Sequence, residues 1–191
     1  MNLPAGITPA GTGRAAASTD VTWSILGHTY WLKAESGDCF AFETLDPPGT
    51  FVPPHIHPTQ DEFIYMREDT FDLYLDGSWT KTGIGDLARM PRGIPHGYYN
   101  RGDQPARALF WVTPARKLRA LFDQLHNPGN PEEVVRRSAA HEVDFLPPAA
   151  CRARKETGHR QKARVHPTSP SSWPSWWTPL GIHGKPSRGC A

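Results

Sequence analysis

Cysteine is scarce in this 191-residue chain. The three present, Cys39, Cys151 and Cys190, are odd in number and far apart, which argues against a disulfide framework or a thiolate zinc site and fits a reducing compartment. No stretch approaches the roughly 18 to 20 uninterrupted apolar residues that a membrane-spanning helix needs, and the first twenty residues lack the apolar core of a secretion signal. The expected location is therefore the cytoplasm. Neither a P-loop nor a dinucleotide-binding glycine fingerprint occurs, and no internal repeat is visible, so nucleotide chemistry is disfavoured. Net charge is nearly absent too, at +2 from 21 basic and 19 acidic side chains.

That neutrality conceals a split. Residues 1–151 carry 13 basic and 18 acidic side chains, a balance of −5, whereas residues 152–191 carry 8 basic and 1 acidic, a balance of +7. The 152–191 segment, with its run Pro167-Thr168-Ser169-Pro170-Ser171-Ser172, shows neither strand nor helix periodicity and has too few aliphatic residues for a core. It reads as a basic, Pro/Ser-rich disordered tail. Its cations and Trp173, Trp176 and Trp177 are compatible with nucleic acid or a membrane interface. Without a folded scaffold to present them, the expectation is a solvated tail with no such partner. At the other end, residues 1–18, rich in Gly, Ala, Thr and Pro, read as a flexible arm.

Between these ends the chain breaks into short β-branched and aromatic runs: Val21 to Leu26, His28 to Lys33, Cys39 to Leu45, Phe63 to Met66, Phe71 to Leu75, Leu87 to Met90 and Ala106 to Thr113. Turn signals such as Asp46-Pro47-Pro48-Gly49 and Asp76-Gly77-Ser78 separate them, at spacings of roughly ten residues. The pattern points to an antiparallel sandwich or barrel. Cys39 reads as a small core residue. Two helices follow over 115–151. Thr113 and Pro114 suit the start of the first, where Leu118, Leu121, Phe122 and Leu125 recur at helical spacing. Asn130-Pro131-Glu132-Glu133 supplies a cap, a first-turn proline and a glutamate able to reach back to the cap of the second.

The histidines carry the chemistry. His55 and His57, two apart on an extended segment, point to one face because side chains alternate along a strand. Glu62 lies one short turn further on, and His96 follows the run Pro91-Arg92-Gly93-Ile94-Pro95. Three neutral imidazoles and one carboxylate suit a divalent Fe, Ni, Co, Mn or Zn ion. A six-coordinate ion would leave two positions for water, substrate or dioxygen. Asp61 is the rival carboxylate, with a spacing that turns it to solvent or a neighbouring loop. A His-x-His pair alone decides nothing, since surface strands often carry one.

The frame around these residues is more specific: Gly49, His55-Ile56-His57 and Glu62, then Gly85, Pro91-Arg92-Gly93, His96 and Asn100. It resembles the two motifs of the cupin superfamily. The resemblance covers roughly Thr22 to Pro114 and implies a cupin double-stranded β-helix, a jelly-roll barrel over 19–114, with C-terminal helices packing on it. It also places His55, His57, Glu62 and His96 on the four metal-ligand positions. The glycine expected seven residues after the motif glutamate is Asp69 here, a residue that tolerates positive φ at some cost relative to glycine.

The segment from His55 to Tyr65, the Pro-Arg-Gly-Ile-Pro-His run and the helical ending are similar to bacterial monocupins of the quercetin 2,3-dioxygenase-like group. That similarity implies a dioxygenase in which a flavonol or enediol is held on the metal and cleaved by dioxygen, with Glu62 as ligand and general base, and a homodimer formed through edge strands. Phe51, Phe71, Leu73 and Tyr98 are candidate pocket residues, with ordinary core packing as the alternative for each. Two other readings stay open: a metal-dependent isomerase, lyase or cyclase of a small metabolite, and a small-ligand-binding module without catalysis.

Overall fold

Alternation of buried and half-exposed residues is clearest in the longest strands. In the last long strand Ala106, Ala108, Phe110 and Val112 are buried, and the residues between them are half-exposed. The computed structural model describes residues 6–13 and 20–147. The 152–191 tail expectation, with its tryptophans, and both Cys151 and Cys190 lie outside the described residues. The described elements are β1 (Thr22–Ile25), β2 (His28–Glu35), β3 (Phe40–Asp46), β4 (Phe51–Ile56), β5 (Asp61–Glu68), β6 (Asp72–Leu75), β7 (Ser78–Lys81), β8 (Leu87–Met90), β9 (His96–Tyr99), β10 (Ala106–Thr113), α1 (Leu118–Leu125), α2 (Pro131–Ala139) and β11 (Asp144–Phe145). Two tight hairpins carry positive φ at both central residues, Leu26-Gly27 between β1 and β2 and Asp76-Gly77 between β6 and β7. That conformation matches the twist of the strands it joins.

The strands form a six-stranded sheet, ordered β1-β2-β3-β10-β5-β8, and a five-stranded sheet, ordered β11-β4-β9-β6-β7. All pairings are antiparallel. The order is jelly-roll-like, but the closed barrel expected from the sequence is not formed. Among the described residues no strand pair joins the two sheets, and β1, β8, β11 and β7 each end a sheet with a single partner. The structure is an open two-sheet sandwich. Closure needs continuous ladders around the whole circuit. Here β8 and β7 are only four residues long, β11 two, and β4 carries Pro53 and Pro54, which donate no ladder hydrogen bond. The β4–β9 ladder shifts register between Val52 and His55, across those prolines.

Aromatic rings fill the space between the sheets. Phe42 stacks on Phe110 at 5.4 Å and meets Phe122 of α1 at 4.8 Å, and Tyr98 stacks on Phe71 at 4.5 Å. Burial of Leu118, Leu121, Phe122 and Leu125 docks α1 on this core, as their spacing predicts. The helix begins four residues later than expected. Arg116, at φ 47, breaks the helical path, and Lys117 is the cap residue, with no side-chain cap bond. In α2, Asn130 Oδ1 accepts the Glu133 N–H and Pro131 opens the helix, while Glu133 reaches back to Gly129 N–H rather than to the cap itself. Asp69 takes positive φ, 56, in the place of the missing glycine. Cys39 is half-buried in the turn before β3 and is not a core residue. Residues 8–12 of the N-terminal segment lie along the six-stranded sheet: Gly11 N–H donates to Glu43, and Lys33 donates to the Pro9 and Thr12 carbonyls.

Candidate metal centre

Four short-range features deliver the donors. β4 ends at Ile56 with His55 paired in register to His96 at the start of β9. The chain then turns through Gln60 into β5, which carries Glu62 inward. Gly93, at φ 75, closes the Pro91-Arg92-Gly93 turn by donating its N–H to the His57 carbonyl at 2.9 Å, so the loop that presents His96 is tied to the strand end that presents His57. Asp61 secures the same loop, accepting from the Arg92 backbone N–H at 2.9 Å and from Arg92 Nε at 3.1 Å. Those hydrogen bonds hold its carboxyl down to about 2, and it stands outside the donor cluster.

His55, His57, Glu62 and His96 are all buried, with one donor atom from each lying within 4.8 Å of the others. Donors about 2.0 to 2.2 Å from a common ion stand roughly 3 to 4.4 Å apart, so a small contraction around an ion suffices. The three Nε2 atoms converge on Glu62 Oε2, at 4.0 Å from His55, 3.5 Å from His57 and 2.9 Å from His96. Each Nδ1 faces an oxygen acceptor: the Pro53 carbonyl for His55, Gln60 Oε1 for His57 and the Ile94 carbonyl for His96, at 2.8 to 2.9 Å. A carbonyl only accepts, so each Nδ1 carries the proton and each Nε2 turns inward as a donor atom. Such outer partners fix tautomer and ring orientation for metal binding. Burial pushes His55 well below the ordinary imidazole range and lowers His57 in the same way. Burial also pushes Glu62 up, but the His96 contact and the neighbouring imidazoles outweigh it and hold the carboxyl below its usual range. The downward shifts of His55 and His57 favour the neutral imidazole and that of Glu62 the carboxylate, the forms in which these groups bind a divalent ion. This donor set fits one divalent metal ion per chain and gives the protein the makings of an enzymatic centre.

Gln60 was not singled out by sequence. It is 1% exposed, and its Nε2 donates to the Pro114 and Ala115 carbonyls at 3.1 and 2.7 Å while its Oε1 orients His57. A lone glutamine between two motif residues carries no distinguishing pattern.

The cluster opens onto a largely apolar cavity of about 120 Å³. Phe51 and Tyr98 line it, whereas Phe71 and Leu73 are packed in the core behind and do not. The C-terminal segment closes it, through Leu118 and Leu125 of α1, Val134 of α2 and Phe145 of β11. Leu26, Phe51, Pro53, Val134 and Phe145 also line an adjacent outer groove of about 500 Å³ along the edge of β4 and α2. Two further polar elements on its wall, His28 and Tyr30, were also missed by sequence, since neither belongs to a motif.

The family model for the cupin domain matches residues 41–112. Among curated proteins, the tetracenomycin polyketide synthase protein TcmJ of Streptomyces glaucescens is 31% identical over 67 residues, 35% of this chain and 45% of that protein. Germin-like protein 5-1 of Oryza sativa subsp. japonica is 36% identical over 67 residues, 32% of this chain and 30% of that one. The chain thus spans under half the length of these relatives. Among solved structures, KdgF from Halomonas sp. is similar at 21% identity with a TM-score of 0.48, over 51% of this chain and 91% of that one. The region similar to the cupin domain, residues 41–112, is the one that contributes the three histidines and the glutamate of the buried cluster.

Proposed function

We propose that the protein is a metal-dependent cupin oxygenase, a dioxygenase of the quercetinase type that cleaves a planar flavonol-like or enediol substrate. The observation that carries this reading is the position of the 3-His-1-Glu cluster at the wall of a narrow, mostly apolar cavity edged by aromatic rings. A divalent ion held by these four residues would lower the pKa of a substrate hydroxyl and fix its orientation. The chain's own residues do the rest. With every Nδ1–H committed to an outer acceptor, the imidazoles have no proton-accepting site to spare, and Glu62 is the group in the cluster able to take the substrate proton. Phe51 and Tyr98 offer ring faces to a planar substrate, and the C-terminal helices keep bulk water from the reacting end. The inner cavity alone is smaller than the usual ligand pocket, so the substrate's far end extends toward the outer groove.

A second reading, a metal-dependent cyclase or isomerase that consumes no oxygen, draws support from the similarity to TcmJ and to CurC of Streptomyces cyaneus, both described as polyketide synthase proteins. Oxygen uptake by the metal-loaded protein across a panel of flavonols and enediols separates the two. Consumption of one O2 per substrate is expected, and conversion without oxygen would establish the second reading instead. Glu62→Gln should depress turnover more than metal content; unchanged turnover would move the base elsewhere. The homodimer expected through edge strands belongs to the same proposal and is read by sedimentation velocity.

A further inference from the structure

A ligand held at the metal cluster has space for little more than one ring. The inner cavity, at about 120 Å³, is comparable to the apolar cavity of roughly 150 Å³ that holds a single benzene. A flavonol has two fused rings and a third joined to them by a single bond. With its hydroxyl at the cluster, the rest of the molecule has to leave the inner cavity. Leu26, Phe51, Pro53, Val134 and Phe145 line both that cavity and the outer groove, so they form the wall along which it passes.

Phe145 brings a side chain of this wall against the cluster itself. Its ring centroid lies 5.3 Å from that of His55, and the β11–β4 pairing sets the two residues opposite each other in register. The backbone around Phe145 is held by bonds that do not involve the ring. Leu146 N–H donates to the Pro54 carbonyl at 2.8 Å. Upstream, Glu142 accepts from the Thr59 hydroxyl at 2.7 Å and meets Lys117 Nζ at 3.2 Å. Shortening the Phe145 side chain therefore leaves β11 on β4 and opens a gap beside His55. Phe51, at the other end of β4, is fixed as well. Its ring stacks on Tyr99 at 5.4 Å, and its carbonyl oxygen lies 3.3 Å from Nε2 of His28, whose Nδ1 lies 2.5 Å from buried Asp46. A wall anchored in this way resists added volume.

We propose that Phe145 is a specificity residue: its ring, beside His55 where the cavity borders the groove, admits a substrate whose rings can lie flat and turns away one whose rings are held twisted. The single bond of a flavonol starts on the carbon next to the one bearing the metal-bound hydroxyl, so a twist there thickens the ligand at the cluster's edge. The inference rests on the flavonol-like reading and adds to it the side chain that selects among such substrates.

The test uses the full-length protein loaded with cobalt(II) and follows the metal's absorption during titration with 3-hydroxyflavone and with 2′,6′-dimethyl-3-hydroxyflavone. The two methyl groups hold the outer ring out of plane and leave the metal-binding end unchanged. Wild type should bind 3-hydroxyflavone about 5- to 150-fold more tightly, the range for forcing extra methyl groups into a filled space. Phe145→Ala should bring that ratio toward one, and Phe145→Leu reads the same ratio should the alanine variant not fold. A wild-type ratio near one, or a ratio that the variants leave unchanged, would overturn the proposal while the flavonol reading stands. If wild type binds neither compound, the flavonol reading falls. Binding of both by Phe145→Ala would then uphold the ring as the barrier, and continued exclusion by the variants would overturn it too.

Discussion

Replacing Gln60 by leucine removes the amide that joins the metal cluster to the approach of α1 while keeping nearly the same volume. Three hydrogen bonds disappear, from His57 Nδ1 and to the Pro114 and Ala115 carbonyls, at a site that is 1% exposed. At roughly 1 kcal/mol for each bond, and with the surviving partners left dry, the loss is about 3 kcal/mol. In a domain of this size that corresponds to a fall in melting temperature of roughly 10 °C. The effect on the ion is separable. Without Gln60 Oε1 the His57 ring no longer has its tautomer and angle imposed, and loss of such an orienting partner weakens metal affinity by about 10- to 100-fold. Calorimetry of the metal-free variant reads the first quantity, and competition against a chelator, followed by cobalt(II) absorbance, reads the second. Gln60→Glu, which keeps an acceptor for His57 but not the donor for the two carbonyls, should recover most of the metal affinity and little of the stability. A Gln60→Leu protein that binds metal as tightly as wild type would refute the claim that His57 is held from behind.

Other perturbations reach the same site from different directions. His55→Ala and His96→Ala should each lose most of the bound metal in elemental analysis, and stoichiometric metal in both would dismiss the ligand assignment. Gly97→Ala places a Cβ 2.7 Å from the Val52 carbonyl oxygen and 2.9 Å from Pro53 C; because His55 pairs with His96 across this contact, both melting temperature and metal affinity should drop, and an unperturbed variant would show that the strands have room to separate. Glu43, fully buried on β3, receives Lys33 and Arg67 at 2.7 Å, Arg107 at 3.2 Å and the Gly11 N–H at 2.9 Å. Burial pushes its carboxyl up, but these partners outweigh it and hold it below the ordinary value of 4.5. A depressed folded value stabilises the fold fully above about 4.5 and loses that contribution as pH falls toward the lower folded value. Metal-free wild type should therefore lose more stability between pH 5.5 and 3.5 than Glu43→Gln in urea titrations, and parallel losses would discount the pair network.

Some of this molecule was legible because its causes are local. His55 and His57 share a face through strand alternation, the glycine and proline turns set how far the chain runs before Glu62 and His96, and Asn130-Pro131 caps α2 with groups three residues apart. Asp61 faces the Arg92 loop, as its parity suggests. Other features were not legible, because they depend on partners distant in the chain. Phe71 and Leu73 have the same alternating pattern as true cavity residues, and only the packing of the second sheet shows that they lie behind the wall. Gln60 gains its role from Pro114 and Ala115, more than fifty residues away, and His28 gains its role from Asp46 and Phe51.

Taken by itself, the amino-acid sequence determined the strand-rich character and the placement of the helical segment through spacing, and pointed to the four candidate metal donors through the resemblance of the frame around them. Tertiary structure alone decided that the two sheets stay open, because whether edge strands meet depends on ladders summed around the whole circuit and no single segment encodes that sum. It also decided the polarity of the cavity. The sequence contains His28, Asp46 and Tyr98 on three separate strands, and only the fold brings the His28 ring and the Tyr98 hydroxyl onto the Asp46 carboxylate.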